Sequence, residues 1–217
     1  SKEDGIECEQ GFFLTHGWDK KIPPRAIENL GTDFLFPEIK YKFHACCHGL
    51  PSFLEALDEM KLENNFNPET IEEIAIETNP SWLKVCNIEE PKTGLESKFS
   101  YKLTAAMSIY GKDTSNLDTY SDEICFDDNL NNIRDKVRVI PNDNLSNTQS
   151  LISIKDGSSN VKNKHDLSDK IENNILETKI VNKSVSLLSE TKSNQISKIL
   201  NAPNENKVDA LVDCLVS

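Results

Sequence analysis

Residues 41–51 read Tyr-Lys-Phe-His-Ala-Cys-Cys-His-Gly-Leu-Pro and concentrate more reactive side chains than any other stretch of this chain. They hold two of the four histidines and two of the six cysteines. A helix is predicted over 50–62, because apolar side chains recur there at helical spacing and Pro51 suits a first turn. The preceding residues, 34–43, are predicted to be extended. The reactive side chains therefore stand between an extended segment and the start of a helix.

A second stretch has a similar form. Residues 91–100 read Pro-Lys-Thr-Gly-Leu-Glu-Ser-Lys-Phe-Ser. They lead into a helix predicted over 95–110, whose apolar side chains form one stripe. Lysines stand on both sides of this helix start, at positions 84, 92, 98 and 102.

The order of predicted strands and helices along the rest of the chain predicts the fold class. Strands are predicted over 71–78, 137–140 and 151–154, the last followed by a turn at Asp156-Gly157. Helices are predicted from Pro23-Pro24 through Leu30 and over 127–135, 167–177, 185–200 and 206–216. Because strands and helices do not alternate in a regular βαβ order, we predict an α+β fold: a small mixed α/β domain over 15–158, followed by a helical C-terminal segment.

Charge and cysteine content exclude several classes of protein. The net charge of −12 argues against nucleic acid and anionic membranes, since phosphate binding needs clustered Lys and Arg. No apolar run approaches the ~20 residues of a membrane span, and no leader pattern opens the sequence. Six cysteines in 217 residues are too sparse for a disulfide-stapled secreted protein. We therefore predict reduced thiols and a cytoplasmic location.

Two interpretations of residues 41–51 use the cysteines. Zinc takes Cys and His ligands, but its ligand pairs normally stand about two to four residues apart, whereas four candidates here crowd into positions 44–48. Nucleophilic catalysis by Cys46 or Cys47 needs a base held nearby. We favour the simpler interpretation that both thiols are small buried groups.

A third interpretation is acid–base chemistry on an anion. Lys42, His44 and His48 stand near a helix N-terminus, where backbone N–H groups and the helix dipole favour negative charge. Histidine exchanges protons near neutral pH, and lysine can hold a carboxylate. We therefore expect a cationic hollow in an acidic molecule, with Lys42 and Lys98 in one concavity. On spacing alone, an amphipathic helix with ordinary lysines explains the second stretch equally well.

Together the two stretches resemble the 2-methylcitrate dehydratase (MmgE/PrpD) family. Residues 42–49 are similar to the lysine-containing motif of the family. Residues 93–100, Thr-Gly-Leu-Glu-Ser-Lys-Phe-Ser, followed by 103–107, are similar to its Glu-Ala-Lys-Phe-Ser run before an alanine-rich helix, and this similarity is the more specific. Weaker similarity continues to the closing helices over 185–216.

The resemblance implies a large helical domain interrupted by a smaller α+β lid, with the active site in the cleft between them. The chain, which starts at Ser1 without an initiator methionine, would then be a fragment. It would comprise a remnant of the helical domain (1–14), the lid (15–158) and the C-terminal helices of the helical domain (159–217). We expect it to need the missing helical domain or a second subunit, to be inactive alone, and to form a homodimer in the full-length protein.

The resemblance also implies an activity. The family acts without metal or cofactor on small polycarboxylates, by dehydration, decarboxylation or epimerisation, through proton transfer beside a carboxylate. By position, it makes Lys42 the motif lysine, a substrate-carboxylate or proton-transfer group, and places Lys98 and Ser100 in the second motif, where we expect substrate binding. We also expect Lys84 and Asn87, in the loop before that motif, to bind substrate, and His44 and His48 to act with Lys42 as catalytic residues. Pro51 stands where family members often have a histidine, so either His44 or His48 takes its place or the activity is lost.

Two other functions stay open. The chain could be an inactive lid or split subunit that packs on a helical partner. It could also be a zinc-binding module, which predicts stoichiometric zinc in the purified protein.

Overall fold

Four strands form one mixed sheet in the part of the chain that the computed structural model describes, residues 29, 31–32, 34, 39–203 and 207–216. They are β1 (Ile71–Thr78), β2 (Val137–Pro141), β3 (Gln149–Asp156) and β4 (Ser159–Asp166). The order across the sheet is β2-β1-β3-β4. β2 runs parallel to β1, while β3 is antiparallel to both β1 and β4.

Helices precede, connect and follow the strands along the chain. The first five are α1 (Pro51–Glu63), α2 (Pro80–Leu83), α3 (Gly94–Ser97), α4 (Tyr101–Ile109) and α5 (Asp128–Arg134), with a 3₁₀ helix at Glu123–Phe126. Three more follow β4: α6 (Asn173–Leu188), α7 (Glu190–Asn201) and α8 (Lys207–Val216). The mixture confirms the α+β prediction. Over the ranges given above, no helix combines the length and the apolar character needed to cross a membrane.

The core lies between one face of the sheet and helices α1 and α4. Ile74 and Ile76 of β1 are fully buried and pair with Ile154 and Ile152 of β3, while the residues between them are half-exposed, as strand alternation requires. The apolar stripe of α1 packs onto this face through Phe53, Leu54 and Leu57. Burying each such side chain contributes about 1.5–3 kcal/mol. This packing fixes the start of α1, and with it residues 41–51.

The strand β4 was not predicted, and the expectation of helices directly after residue 158 is wrong for residues 159–166. This edge strand is mostly polar. Its side chain Asn163 donates to the carbonyl oxygen of Ala56 at 3.1 Å, and the carbonyl of His165 accepts from Ser52 at 3.0 Å. Because polar groups hold β4 to α1, the strand carries no apolar alternation for a sequence pattern to detect.

The helix predicted over 95–110 is interrupted. It forms α3 and α4, with residues 98–100 between them. The apolar stripe continues through the break, so periodicity did not indicate it. The break exists because this segment bonds to other parts of the chain: the amide of Ile88 donates to the carbonyl of Phe99 at 3.1 Å, and Asn87 forms a β-bridge with Ser100.

Most of the other predicted helices and strands agree with the structure. The helix over 50–62, the strands over 71–78, 137–140 and 151–154, and the helices over 127–135 and 206–216 are confirmed within a few residues. The segments predicted over 167–177 and 185–200 correspond to α6 and α7, with α6 displaced toward the C-terminus. Residues 39–43 form no strand, and 35–38 lie outside the described residues. The helix from Pro23 and the segment 1–14 lie outside them too, and the domain division stays a prediction.

Candidate functional site

The two sequence stretches meet through their backbones. The amide of Cys47 donates to the carbonyl oxygen of Lys98 at 2.8 Å, and the amide of Ala45 donates to the carbonyl oxygen of Thr114 at 2.8 Å. Residues 44–47 are therefore held between two segments that are distant in sequence. This arrangement fixes the backbone on which His44 stands.

His44 is buried, with 5% of its surface exposed. Its Nδ1 lies 2.7 Å from Oγ1 of Thr114, within hydrogen-bond distance. Its Nε2 lies 3.3 Å from Oε1 of Glu55, but this contact is not aligned well enough to count as a hydrogen bond. Both ring nitrogens thus face an oxygen, and the contact with Glu55 is electrostatic.

Glu55 is a buried carboxylate on α1. The ammonium of Lys179, on α6, also contacts it and forms an ion pair. Burial alone would raise the pKa of Glu55, but the contacts of its carboxylate with His44 and Lys179 outweigh burial and lower the pKa from 4.5 to about 2. Glu55 is therefore ionised at neutral pH.

These side chains line a cavity of about 840 Å³, here called the His44 cavity. One wall comes from residues 43–44, α1 and the 113–116 segment, and the other from α6 and the start of α7. Among the described residues, the charged groups in its lining are Glu55, Asp58, Asp113, Lys179, Lys183 and Glu190. Because carboxylates outnumber ammonium groups in this lining, the His44 cavity is not the cationic hollow that the sequence predicted.

Three lysines interact with a buried pair, Cys46 and Tyr120. The ammonium of Lys98 lies 5.6 Å from the centroid of the Tyr120 ring. The positive charges of Lys42 and Lys183 act to lower the pKa of the Cys46 thiol. Lys183 also lines the His44 cavity and donates to the carbonyl oxygen of Ser115 at 2.6 Å. We call Lys42, Lys98 and Lys183 the lysine group.

Burial and nearby charges shift the pKa values of Lys183 and Cys46. Burial lowers the pKa of Lys183, and the positive charge of Lys42 lowers it further, whereas Asp113 and Cys46 act in the opposite direction. Burial raises the pKa of the Cys46 thiol to about 12, against a hydrogen bond with Tyr120 and the charge of Lys42. A thiol in this state is protonated at neutral pH, which opposes the nucleophilic interpretation of Cys46.

A comparison with protein-family models gives the identity of the fold. Residues 44–202 match the model of the MmgE/PrpD C-terminal domain. The chain belongs to the MmgE/PrpD family. This is a family of the dehydratase and lyase type, and the match contains both the His44 region and the second stretch. Lys42 lies two residues before the matched range. A search of curated proteins gave no match to the sequence.

The residues that the MmgE/PrpD resemblance assigned to the site do not all converge. His44 lines the His44 cavity, whereas Lys42 and Lys98 are not among its lining residues; within the lysine group, Lys183 lines it. His48 is exposed, with its ring edge-on to Trp82 at 6.2 Å between centroids, and it does not line this cavity. His44 is therefore the better placed of the two histidines for proton transfer.

Three predicted substrate-binding residues lie elsewhere. Lys84 is exposed directly after α2, and Asn87 is half-buried in its bridge with Ser100. Ser100 is fully buried, and its Oγ accepts from the amide of Leu103 at 3.2 Å, which caps α4. Ser100 therefore faces the core here instead of the His44 cavity. The substrate roles of all three stay predictions.

Sequence analysis missed Glu55, Thr114, Lys179 and Lys183. For Glu55 the signal was a carboxylate inside the apolar run Phe53–Leu57, where a buried charge needs a partner. For the two lysines it was the i, i+4 spacing, which places them on one face of α6. In the part of the chain that is described, no group of three or more His, Cys, Asp or Glu side chains is arranged to hold a metal ion.

Proposed function

We propose that this site transfers a proton at a carbon beside a carboxylate of a small polycarboxylate, in a dehydration, decarboxylation or epimerisation. One observation carries the proposal: a buried histidine lines a cavity that shares Lys183 with a group of three lysines. A histidine is the side chain suited to exchange a proton near neutral pH. Membership of a dehydratase and lyase type of family supports the same class of reaction.

In this proposal the lysine group supplies the positive charge that the reaction needs. Removing a proton beside a carboxylate leaves an enolate-like anion, which fixed cations stabilise as the charge develops. Two of the carboxylates that line the cavity are already compensated. Glu55 pairs with Lys179, and Asp58 pairs with Lys61 at 2.6 Å. Lys42 and Lys183 then attract the substrate against the overall negative charge of the molecule.

We further propose that a second catalytic wall comes from a helical domain or from a second subunit, as a homodimer would supply. Apolar side chains on the C-terminal helices support this, since Leu187, Leu200, Val212 and Leu215 are each about half-exposed. Free thiols at Cys46, Cys47, Cys86 and Cys125 support a reducing compartment such as the cytoplasm.

The test uses deuterium exchange. The gene product that contains this chain is incubated in D₂O with citrate, 2-methylcitrate or cis-aconitate, and NMR follows deuterium incorporation and product formation. We expect turnover with one of these acids, and a 10²- to 10⁴-fold lower rate in His44→Asn, a typical loss for an acid–base residue. The matched control is His165→Asn, since His165 pairs with Glu59 away from the cavity. Normal turnover by His44→Asn would refute the assignment.

A second candidate function is an inactive subunit that packs on a helical partner. An apolar groove of about 380 Å³ between α6 and α7, lined by Leu176, Ile180, Val181, Ile196 and Leu200, favours it. Under this alternative, none of the three acids incorporates deuterium at any concentration of protein, with or without the partner. The His44→Asn variant would then still form the same complex.

A further inference from the structure

We propose that Glu55 is a positioning residue that orients the imidazole of His44 and fixes its proton on Nε2, leaving Nδ1 as the basic nitrogen. This inference rests on the proposed function insofar as His44 is the group that transfers the proton. The assignment of the proton within the ring stands on geometry alone. It gives roles to Glu55, Thr114 and Lys179.

The Nε2 side of the His44 ring faces the carboxylate of Glu55. An ionised carboxylate can only accept hydrogen bonds, so a nitrogen that lies 3.3 Å from Oε1 of Glu55 is favoured in its N–H form. An unprotonated Nε2 would instead direct its lone pair toward a negative oxygen inside a buried site. That arrangement is costly because little water is present to screen the repulsion. The proton of the neutral ring therefore stands on Nε2.

The Nδ1 side of the His44 ring faces the hydroxyl of Thr114. With the proton on Nε2, Nδ1 is an acceptor, and the hydroxyl of Thr114 donates to it at 2.7 Å. Thr114 is fixed in this position by its own backbone. Its carbonyl oxygen accepts from the amide of Ala45 at 2.8 Å and from the hydroxyl of Tyr120 at 3.0 Å. Both nitrogens of His44 thus have a defined role.

Glu55 keeps its negative charge because Lys179 pairs with it. Glu55 has a side chain only 6% exposed, and burial by itself would favour the neutral acid. Lys179 from α6 supplies the compensating charge, and its ammonium also lies 5.1 Å from the centroid of the Phe43 ring. The ion pair therefore spans the cavity from α1 to α6. It holds the charged carboxylate beside the ring.

The consequence is a direction for the proton transfer. Thr114 lines the His44 cavity, so a substrate that replaces its hydroxyl at Nδ1 meets the basic nitrogen. The C–H bond of the substrate breaks, the N–H bond at Nδ1 forms, and the electron pair stays on the substrate as an enolate. Glu55 then faces an imidazolium ring, and its negative charge stabilises the positive charge that has formed.

The decisive measurement is the tautomer of His44. Chain labelled with ¹⁵N-histidine is studied at pH 9 by two-dimensional NMR, in which ring nitrogen shifts separate protonated from unprotonated nitrogens. With four histidines in the chain, His44→Asn assigns the signal. We expect the wild type to carry the proton on Nε2. A wild-type ring protonated on Nδ1 would overturn the proposal without the need for any variant of Glu55.

Glu55→Gln is the matching variant. The amide can turn its NH₂ group toward Nε2, and we expect the proton to move to Nδ1 in this variant. The matched control is Glu59→Gln, one turn later on α1, which removes the carboxylate 2.8 Å from Nδ1 of His165. It should leave the His44 signals unchanged. Unchanged His44 signals in Glu55→Gln would overturn the positioning role and leave only an ion pair that joins α1 to α6.

Kinetics separate this inference from the proposed function. With the acid that the protein turns over, we expect Glu55→Gln to lower kcat about 10- to 100-fold with KM within about twofold, because the ring is misplaced but substrate binding is kept. Unaltered turnover by His44→Asn would remove the proposed function while the tautomer result still held. Loss of turnover in His44→Asn together with normal kcat in Glu55→Gln would remove only the inference.

Discussion

Gly94 stands where no side chain fits. A Cβ atom built on it would lie 2.2 Å from the carbonyl oxygen of Tyr120, and its amide donates to Oδ1 of Asp122 at 2.7 Å. Gly94→Ala must therefore move the backbone of Tyr120, and we expect a loss of about 2–3 kcal/mol in the free energy of unfolding, measured with urea. Because Lys98 lies over the Tyr120 ring, the lysine group should be disturbed as well.

Gly111→Ala is the control for this prediction. Gly111 has a φ of +68° but no atom within 4 Å of a built Cβ, so only backbone strain of about 1 kcal/mol is expected. If Gly94→Ala proved as stable as Gly111→Ala, the close approach to Tyr120 would be wrong.

Glu55 should make stability depend on pH. Its pKa is about 2 when folded and 4.5 ordinarily, so the folded state binds fewer protons than the unfolded state. The stabilisation is fully present above pH 4.5 and is lost as the pH falls toward 2, with a magnitude on the order of 3 kcal/mol. Urea unfolding at pH 7, 4.5 and 3 should show a steeper loss in the wild type than in Glu55→Gln. A parallel loss in both would contradict the ion pair, and Glu59→Gln serves as the control.

At this scale the sequence singled out His44, Lys42 and Lys98 as site candidates, because histidine and lysine near helix starts have recognisable chemistry, and their roles stay predictions. The oxygens that hold His44 were missed. Thr114 lies 70 residues away along the chain, and no local spacing indicates such a contact.

Among the elements, α4 depends on the cap at its first turn. Ser100 is fully buried, and its hydroxyl accepts from the amide of Leu103, so Ser100→Ala should lower the free energy of unfolding by about 1 kcal/mol. Thr93→Ala is the matched change, because Thr93 caps α3 through the amide of Glu96 at 3.2 Å. If Ser100 also contacts substrate, as the resemblance implies, Ser100→Ala should raise KM where Thr93→Ala does not. A raised KM at unchanged stability would contradict the capping role.

The elements themselves were predicted where their apolar pattern was strong. Helix α1 and strands β1 and β3 each bury one face, and that burial is visible as periodicity. The edge strand β4 and the break at 98–100 depend on hydrogen bonds to residues far away in sequence. The apolar periodicity of the local sequence therefore does not indicate them.

For the molecule as a whole, the C-terminal helices α6–α8 should be the least stable part of the fold described above. Neither α6 nor α8 has a buried residue, whereas α1 and α4 are mostly buried. Two lysines of α6 contact other parts of the fold: Lys179 pairs with Glu55 of α1, and Lys183 donates to the carbonyl oxygen of Ser115. We expect amide hydrogen exchange about 100-fold faster in α6–α8 than in β1 and β3, measured by mass spectrometry.

The double variant Lys179→Met and Lys183→Met should accelerate exchange in α6 further, because it removes both contacts. Lys198→Met, on exposed α7, is the control and should have no effect on α6. Equal protection of α6 and β1 in the wild type would show that these helices pack more firmly than their burial indicates.

The sequence by itself determined the α+β class, the principal helices and strands, and the family resemblance, because these depend on periodicity and on short runs of residues. It also placed the reactive stretch before α1. Only the tertiary structure decided that His44 lies between Thr114 and Glu55, that α6 brings Lys179 and Lys183 to the same cavity, and that His48 and Ser100 lie outside it. These are contacts between residues far apart in the chain, and they form only when the packing of α1 on the sheet brings those residues together.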